Sequence, residues 1–184
     1  DSNELCAMRI KRIATSGGLV CLTRLLQSGS SKTKETAARA LRQVCAEPTA
    51  RGLFIQEGAM KACCDVMYRA ASKEKCEGEP SVSAEGRREA AHAVAKALIS
   101  TDPRLLAAHQ RLGVIAPLLA LCKDIDGTNL QQFEGLMALT NVLSAGEAEA
   151  AKFFKEKGHH AVHYLIFSDH AMVRTAACEV FCNI

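Results

Sequence analysis

A chain of 184 residues is long enough to bury a hydrophobic core, and 48% apolar with 23% charged residues is typical of a globular rather than a disordered protein. The net charge of +3 is too small to indicate nucleic acid as a partner, and the mild basic excess of residues 1–50 fits a solvated helix face. Only 4% of the residues are aromatic and Trp is absent, which favours packed helices over a β-sandwich.

Neither a membrane anchor nor a secretion signal is visible in the sequence. The longest apolar run, residues 112–122, is too short to span a bilayer and contains Pro117. The opening DSNELCAMRI lacks the basic start and long apolar stretch of a signal peptide. The nine cysteines are odd in number and include no C-x-x-C pair, unlike a disulfide framework. We therefore predict a cytoplasmic protein with reduced thiols and no membrane partner.

Four glycines mark a repeating junction between helical stretches. Each follows one helical stretch and precedes a second, short apolar one, in the contexts ATSGGLV, IQEGAMK, HQRLGVI and KEKGHHA. The glycines are Gly18, Gly58, Gly113 and Gly158, spaced 40, 55 and 45 residues apart. Because glycine adopts positive φ without steric cost, we predict a sharp turn between two helices at each position.

The longest spacing contains a stretch, residues 72–86, that has the composition of an inserted surface loop. Its sequence SKEKCEGEPSVSAEG is rich in Ser, Glu, Gly and Pro, which is typical of loops. Without this insertion the period falls near the ~40–47 residues of armadillo and HEAT repeats. The chain is therefore predicted to be a repeat protein with one surface insertion.

A longer third helix is predicted after each second helix. The four stretches are TKETAARALRQVC, GRREAAHAVAKAL, LQQFEGLMALTNVL and MVRTAACEVFCNI, and their alignment places Leu41, Val94, Leu139 and Phe181 in register. Three helices in each unit favour armadillo over two-helix HEAT repeats. One unit cannot bury its apolar faces alone, whereas a stack can. The predicted fold is all-α, an armadillo-repeat right-handed superhelical solenoid of about four three-helix repeats.

A polar strip along the third helices is the best candidate for a binding surface. At about 100° per residue, Glu134, Met137 and Asn141 share one face of their helix, and third helices line the concave side of an armadillo stack. The corresponding positions in the other repeats are Arg39, Gln43, Glu89, His92, Lys96, Glu179 and Asn183. Amide side chains both donate and accept hydrogen bonds, so the strip predicts a ladder for an extended polypeptide. Alternatively, Asn141 and Asn183 bond to neighbouring loops and stiffen the stack, and one residue can do both.

The helix FEGLMALTNV and its surroundings carry the most specific family signal. The stretch GTNLQQFEGLMALTNVLS is followed by FFKEKG and DHAMVRTAACEVFCNI, and RLLQSGSSKTKETAARALRQVCAEPTARGLFIQEGAMKA precedes them. Together they resemble the UCS family of myosin-directed chaperones over most of the chain. The resemblance implies an armadillo solenoid that holds the myosin motor domain during folding or assembly, without ATP hydrolysis of its own. It places the client groove at Phe133, Glu134, Met137, Asn141, Arg174 and Asn183.

The resemblance also implies a division of the chain. Residues 1–126 correspond to central armadillo repeats with the loop at 72–86 inserted, and residues 127–184 correspond to the start of the UCS repeats. Full-length animal members begin with tetratricopeptide repeats that recruit heat-shock chaperones, and no such 34-residue pattern is visible here. Because the sequence stops inside a third helix, we expect a fragment. Heat-shock chaperones are then partners only through a region outside this chain.

Signals for an enzyme or a metal site are weak. His159 and His163 stand four residues apart, as zinc-binding pairs do, and His170 is a further candidate ligand, but the glutamate of a zinc protease is missing. Neither a glycine-rich phosphate loop nor a G-x-S-x-G elbow is present in the sequence. We predict a non-enzyme with no metal and no cofactor. The cysteines in apolar helical patterns are interpreted as buried small hydrophobes: Cys45, Cys63, Cys122, Cys178 and Cys182.

Two other classes of armadillo protein fit the sequence differently. Importin-type proteins pair each groove asparagine with a tryptophan, which this chain lacks. In addition, Arg39 and Lys96 in the strip would repel a basic signal peptide. A catenin-like scaffold, which binds an extended partner peptide without a folding role, stays open as the alternative to a chaperone.

Overall fold

The chain is helical throughout the part that the structure describes. A computed structural model describes residues 2–71 and 82–184, and these two ranges contain helices and no strand. The residues form two compact units, Asp1–Ala97 and Leu98–Ile184. Each unit holds two repeats that end in a long helix, as the sequence predicts.

The first unit contains two sets of three helices. The first set comprises α1 (Ser2–Thr15), α2 (Gly18–Ser28) and α3 (Ser31–Ala46). The second set comprises a 3₁₀ turn (Pro48–Ala50), α4 (Arg51–Gln56), α5 (Ala59–Ala71) and α6 (Ala84–Leu98). The middle helices α2 and α5 pack on each other, and α2 also packs on α3. This is the stacking of neighbouring repeats that buries the apolar faces.

The second unit also contains two repeats. The first comprises a 3₁₀ turn (Pro103–Leu105), α7 (Ala108–Lys123) and α8 (Asn129–Leu143). The second comprises α9 (Glu147–Lys155), α10 (Gly158–Leu165) and α11 (Ala171–Cys182). Helix α7 packs along α8, and α8 in turn packs along α11. The armadillo fold is therefore confirmed, with a difference in the third repeat.

The predicted turn at Gly113 is wrong. Gly113 lies inside α7, which runs unbroken from Ala108 to Lys123, so the third repeat has two α-helices and a 3₁₀ turn instead of three helices. A glycine inside a helix costs about 1 kcal/mol relative to alanine, which the packing of α7 offsets. The buried residues of α7, among them Ile115 and Leu118, follow Gly113 and form one continuous apolar stretch that reaches Cys122.

The other three glycines lie at turns, but only Gly58 has the predicted positive φ, at 75°. At the first and fourth junctions the residue before the glycine takes this conformation: Gly17 has φ 80° and Lys157 has φ 56°. Gly158 is required for a different reason, because a Cβ at this position would overlap the ring of Phe153. The sequence therefore located these three turns correctly and misassigned the residue with positive φ in two of them.

The third-helix register is mostly confirmed. Leu41, Val94 and Leu139 are fully buried, whereas Phe181 is only half-buried and the neighbouring Val180 enters the core instead.

Helix α8 begins where Thr128 and Gln131 form a reciprocal cap: the Thr128 hydroxyl accepts from the Gln131 amide at 3.2 Å, and the Gln131 side chain accepts from the Thr128 amide at 2.8 Å.

Two sequence interpretations need correction. The predicted loop 72–86 overlaps α6, which begins at Ala84 and is capped by the Ser83 hydroxyl accepting from the Gly86 amide at 2.9 Å. Residues 72–81 lie outside the described residues. Cys178 and Cys182 are exposed rather than buried, because they lie on the face of α11 that no other described helix covers. The other cysteines interpreted as hydrophobes, Cys45, Cys63 and Cys122, are buried.

Within the described ranges, no helix combines the length and the apolar character needed to cross a bilayer. This agrees with the short apolar runs of the sequence.

Candidate protein-binding groove

A groove of about 360 Å³ lies between α8 and α11 in the second unit. Phe133 and Met137 line it from α8, and Met172 and Glu179 line it from α11. The remaining lining residues are the small side chains Ala171, Thr175 and Ala176. Three predicted binding residues, Phe133, Met137 and Glu179, are therefore brought together at one place.

The packing of α8 determines which of its faces lines the groove. Gly135, Leu136 and Leu139 are buried. Gly135 lies so close to α7 that a Cβ there would meet the sulfur of Cys122 at 3.1 Å. With one side of α8 held against α7 in this way, Phe133 and Met137 are left half-buried beside α11. The small residues of α11 keep the space between the two helices open.

The groove is apolar with a carboxylate at its edge. Met172 is 53% exposed, and with Phe133 and Met137 it offers flexible, polarizable surface that adapts to different partners. Glu179 is exposed and is the only charged side chain that lines the groove among the described residues. Exposed apolar surface with a polar edge is typical of sites that contact other proteins.

The predicted asparagines hold the second unit together. Nδ2 of Asn141 donates to the carbonyl oxygens of Leu98 at 2.6 Å and Thr101 at 2.7 Å. Nδ2 of Asn183 donates to the carbonyl oxygen of Thr140 at 3.1 Å. The structural alternative for both residues is therefore observed. A contact with a client through the same side chains stays a prediction.

Arg174 and Glu134 lie outside the groove lining. Nη1 of Arg174 donates to the carbonyl oxygens of Ser168 at 2.7 Å and Asp169 at 3.0 Å, which fixes the turn before α11. Glu134 is half-buried on α8 and has interactions of its own. Of the residues implied by the family resemblance, Phe133 and Met137 thus line the groove. Arg174, Asn141 and Asn183 instead form hydrogen bonds within the fold.

In the first unit, the predicted strip is centred on an ion-pair cluster. Glu89, 6% exposed, binds Arg42, and its other oxygen accepts from Nε of Arg39 at 3.4 Å. His92 is 5% exposed, so its prediction as a partner-binding residue is not supported: it has almost no surface to offer. The reason is its position within the run of buried alanines in α6. Gln43 is exposed and Lys96 is half-buried.

A second, polar cavity of about 530 Å³ lies next to Asn141. It is lined by Asn141, Ser144 and the turn around Pro103. Arg104 and Asp102 in this turn bind each other, with Nε of Arg104 at 3.1 Å from Oδ1 of Asp102. Polar groups that line this cavity are thus used within the fold, in the hydrogen bonds of Asn141 and in the pair of Arg104 and Asp102.

The candidate zinc ligands His159, His163 and His170 are not brought together as a metal site in the described part of the chain. No group of three His, Cys, Asp or Glu side chains within the described ranges is arranged to hold a metal ion. The rings of His159 and His160 are 4.1 Å apart, and His159 also lies 5.3 Å from the ring of Phe154. His163 instead faces Phe167 at 5.6 Å. His159 thus packs among rings of α9 and α10, and His163 packs against a ring in the turn after α10.

Comparison with known proteins identifies relatives over the whole chain. No established family model matches it. Human protein unc-45 homolog B is 28% identical over 189 aligned positions, which cover 100% of this chain and 19% of that protein. The structure of UNC-45 from Drosophila melanogaster is 33% identical, with a TM-score of 0.78 over 96% of this chain and 21% of that one. The chain is an armadillo-repeat protein related to UNC-45.

Two further structures extend this finding. The myosin chaperone UNC-45 from C. elegans, solved in complex with an Hsp90 peptide, is 25% identical, with a TM-score of 0.76 over 96% of this chain and 18% of that one. A designed armadillo repeat protein for modular peptide recognition has a TM-score of 0.71 at 17% identity, over 98% of this chain and 71% of that one, which shows the fold alone. The chain spans about a fifth of the length of the curated UNC-45 relatives it matches.

Sequence reasoning missed two residues on the α11 side of the groove. Met172 and Thr175 were not predicted as binding residues, although they lie seven and four residues before Glu179 and so share its helix face. This spacing could have identified them. What the sequence could not supply is the pairing of that face with Phe133 and Met137, because it depends on the packing of α8 against α11.

Proposed function

We propose that the chain is a non-catalytic protein-binding module that holds the motor domain of myosin during folding or assembly. The observation that carries this proposal is the α8/α11 groove, in which Phe133 and Met137, assigned to the client groove by the family resemblance, face exposed apolar surface of Met172. The related C. elegans protein is a myosin chaperone, which supports the choice of client.

The groove has the properties needed to bind a partly folded client. A few apolar anchors supply most of the affinity of a protein interface, and Phe133, Met137 and Met172 are anchors of that kind. Methionine side chains also fit differently shaped partners. Such a groove would cover apolar segments of the motor domain that would otherwise aggregate.

Two further parts of the proposal concern partners and location. The related C. elegans protein was solved with an Hsp90 peptide. Because the present chain spans about a fifth of its relatives, we assign the heat-shock chaperone to a region outside it. The place of action is the cytoplasm, where thiols such as the eight described cysteines, all of them free, are not oxidised.

Protection of a heat-stressed client tests the chaperone role. A myosin motor domain is warmed with the chain, and its aggregation is followed by light scattering. The wild type should suppress aggregation, and Met137→Glu should lose this effect because a carboxylate would be buried in the groove. Ile125→Glu, the same type of change at a residue that is 93% exposed and outside the groove, should protect as the wild type does.

The same assay separates a chaperone from a catenin-like scaffold. A scaffold would bind the motor domain without reducing its aggregation, and Met137→Glu would then change binding alone. Unprotected aggregation in the presence of bound wild-type chain would contradict the chaperone role.

A further inference from the structure

The carboxylate of Glu179 is unpaired at the edge of the groove. Among the described residues, the side chain of Glu179 takes part in neither a hydrogen bond nor an ion pair, and it is exposed. Two other acidic side chains of the second unit are paired: Glu149 binds Arg111 and Glu156 binds Lys152. Glu179 therefore presents an unpaired carboxylate to whatever occupies the groove.

No described basic side chain compensates this charge within the groove. The guanidinium of Arg174, on the same helix, donates to the carbonyl oxygens of Ser168 and Asp169. The lining residues from α8 and α11 include no Lys, Arg or His. A positively charged occupant would thus supply the ion-pair partner that the Glu179 carboxylate lacks in the groove.

The rest of the lining matches the stem of a basic side chain. Lysine and arginine combine a long aliphatic stem with a cationic head, and they commonly lay the stem along apolar surface while the head reaches a polar partner. Phe133, Met137 and Met172 supply the apolar surface and Glu179 the partner. A volume of about 360 Å³ leaves room for one such side chain and a neighbouring apolar residue.

We infer that the α8/α11 groove recognises an arginine of its client, with the stem against Met137 and Met172 and the guanidinium on Glu179. The inference rests on the proposed function, because it names the chemistry that the client groove selects. Arginine is favoured over lysine, since its planar guanidinium binds a carboxylate through two parallel hydrogen bonds and stacks on an aromatic ring such as Phe133.

A matched pair of peptides tests this inference without a myosin domain. The probes are acetyl-Ala-Leu-Arg-Leu-Ala-amide and the same peptide with citrulline, which keeps the shape of arginine but is uncharged. The chain carries ¹³C-methyl methionine, and the NMR signals of Met137 and Met172 report on the groove. Met60, which is 1% exposed in the first unit, serves as the internal control.

The arginine peptide should shift the signals of Met137 and Met172, leave that of Met60 in place, and bind about two- to fivefold more tightly than the citrulline peptide. Glu179→Gln should abolish this difference between the peptides. Glu147→Gln, the same change at an exposed residue outside the groove, should preserve it. The inference would be overturned if the two peptides bound with equal affinity, or if neither peptide shifted the signals of Met137 and Met172.

The outcome is separable from that of the proposed function. If the wild type binds the motor domain and Met137→Glu does not, but the two peptides bind equally, the client groove stands and arginine recognition fails. If arginine is preferred and the motor domain does not bind, arginine recognition stands and the choice of client is wrong.

Discussion

Nδ2 of Asn141, in the middle of the predicted binding strip, lies 2.6 Å from the carbonyl oxygen of Leu98 and 2.7 Å from that of Thr101. Both hydrogens of the amide are therefore used to hold the turn that precedes α7. Without these bonds the last residue of α6 and the turn after it would lose their hydrogen bonds to α8. Asn141 is thus a structural residue first, whatever else it contacts.

Asn141→Ala should destabilise the chain by about 1–3 kcal/mol, because it removes both hydrogen bonds from part-buried carbonyl groups. The free energy of unfolding is measured by urea denaturation followed by circular dichroism. Asn129→Ala, at the exposed first residue of α8, is the control and should change stability by less than about 0.5 kcal/mol. Equal stability of the two variants would show that the amide of Asn141 contributes nothing to the fold.

Arg111→Leu should lower the free energy of unfolding by about 3–5 kcal/mol, because it leaves the carboxylate of Glu149 buried without its partner. Glu149 is 2% exposed and accepts from Nε of Arg111 at 2.6 Å. Adding Glu149→Leu should recover most of the loss, since an apolar pair needs no charge compensation. Thermal unfolding of the single and double variants measures both effects.

The exposed pair of Arg104 and Asp102 provides the control for this experiment. Arg104 is 82% exposed in its side chain, so Arg104→Leu should lower the stability far less than Arg111→Leu does. A loss for Arg111→Leu no larger than this would contradict the account of Glu149 as a buried charge held by a single arginine.

Gly158→Ala and Gly113→Ala should have opposite effects on stability. At Gly158 a methyl group would overlap the buried ring of Phe153, and the forced shift should cost about 1–3 kcal/mol. At Gly113 the added methyl meets no atom within 4 Å and the residue is helical, so alanine should stabilise by up to about 1 kcal/mol. Denaturation midpoints measure both. Destabilisation by Gly113→Ala would indicate a turn there, as the sequence alone had suggested.

The cysteines should react in two classes. Burial raises the pKa of Cys64 and of Cys122 to about 12, so at pH 8 almost none of either thiol is the reactive thiolate. The exposed cysteines should be alkylated by iodoacetamide in the native chain, and the buried ones only after unfolding. Peptide mass spectrometry reads out each site. The exposed set is Cys6, Cys21, Cys178 and Cys182, and the buried set is Cys45, Cys63, Cys64 and Cys122. Rapid labelling of Cys122 at pH 8 would contradict its burial.

The helical repeat was predictable because it depends on local patterns. Apolar spacing located all four long helices, and core residues such as Leu41 and Leu139 are buried as expected. A glycine is a weaker signal of a helix end. Gly58 lies in the turn between α4 and α5, whereas Gly113 lies inside α7. Whether a helix stops there is decided by the packing of its apolar residues, which a single-residue rule does not include.

The binding site was predictable only in part. The position of Met137 on one helix face follows from periodicity, and so does that of Glu179. Ion pairs such as that of Arg42 and Glu89 cannot be predicted from helix periodicity, because the two residues are 47 positions apart in sequence. The sequence therefore does not distinguish polar residues that bind carbonyl groups or charges within the fold from polar residues that face solvent.

Calorimetric titration of a myosin motor domain into this chain tests the central claim most directly. The wild type and Ile125→Glu should bind with equal affinity, while Met137→Glu, with its helical content unchanged, should bind at least about tenfold more weakly because it removes a central apolar anchor. That result would place the client in the α8/α11 groove. Equal binding by all three chains, or absence of binding by the wild type, would contradict the account.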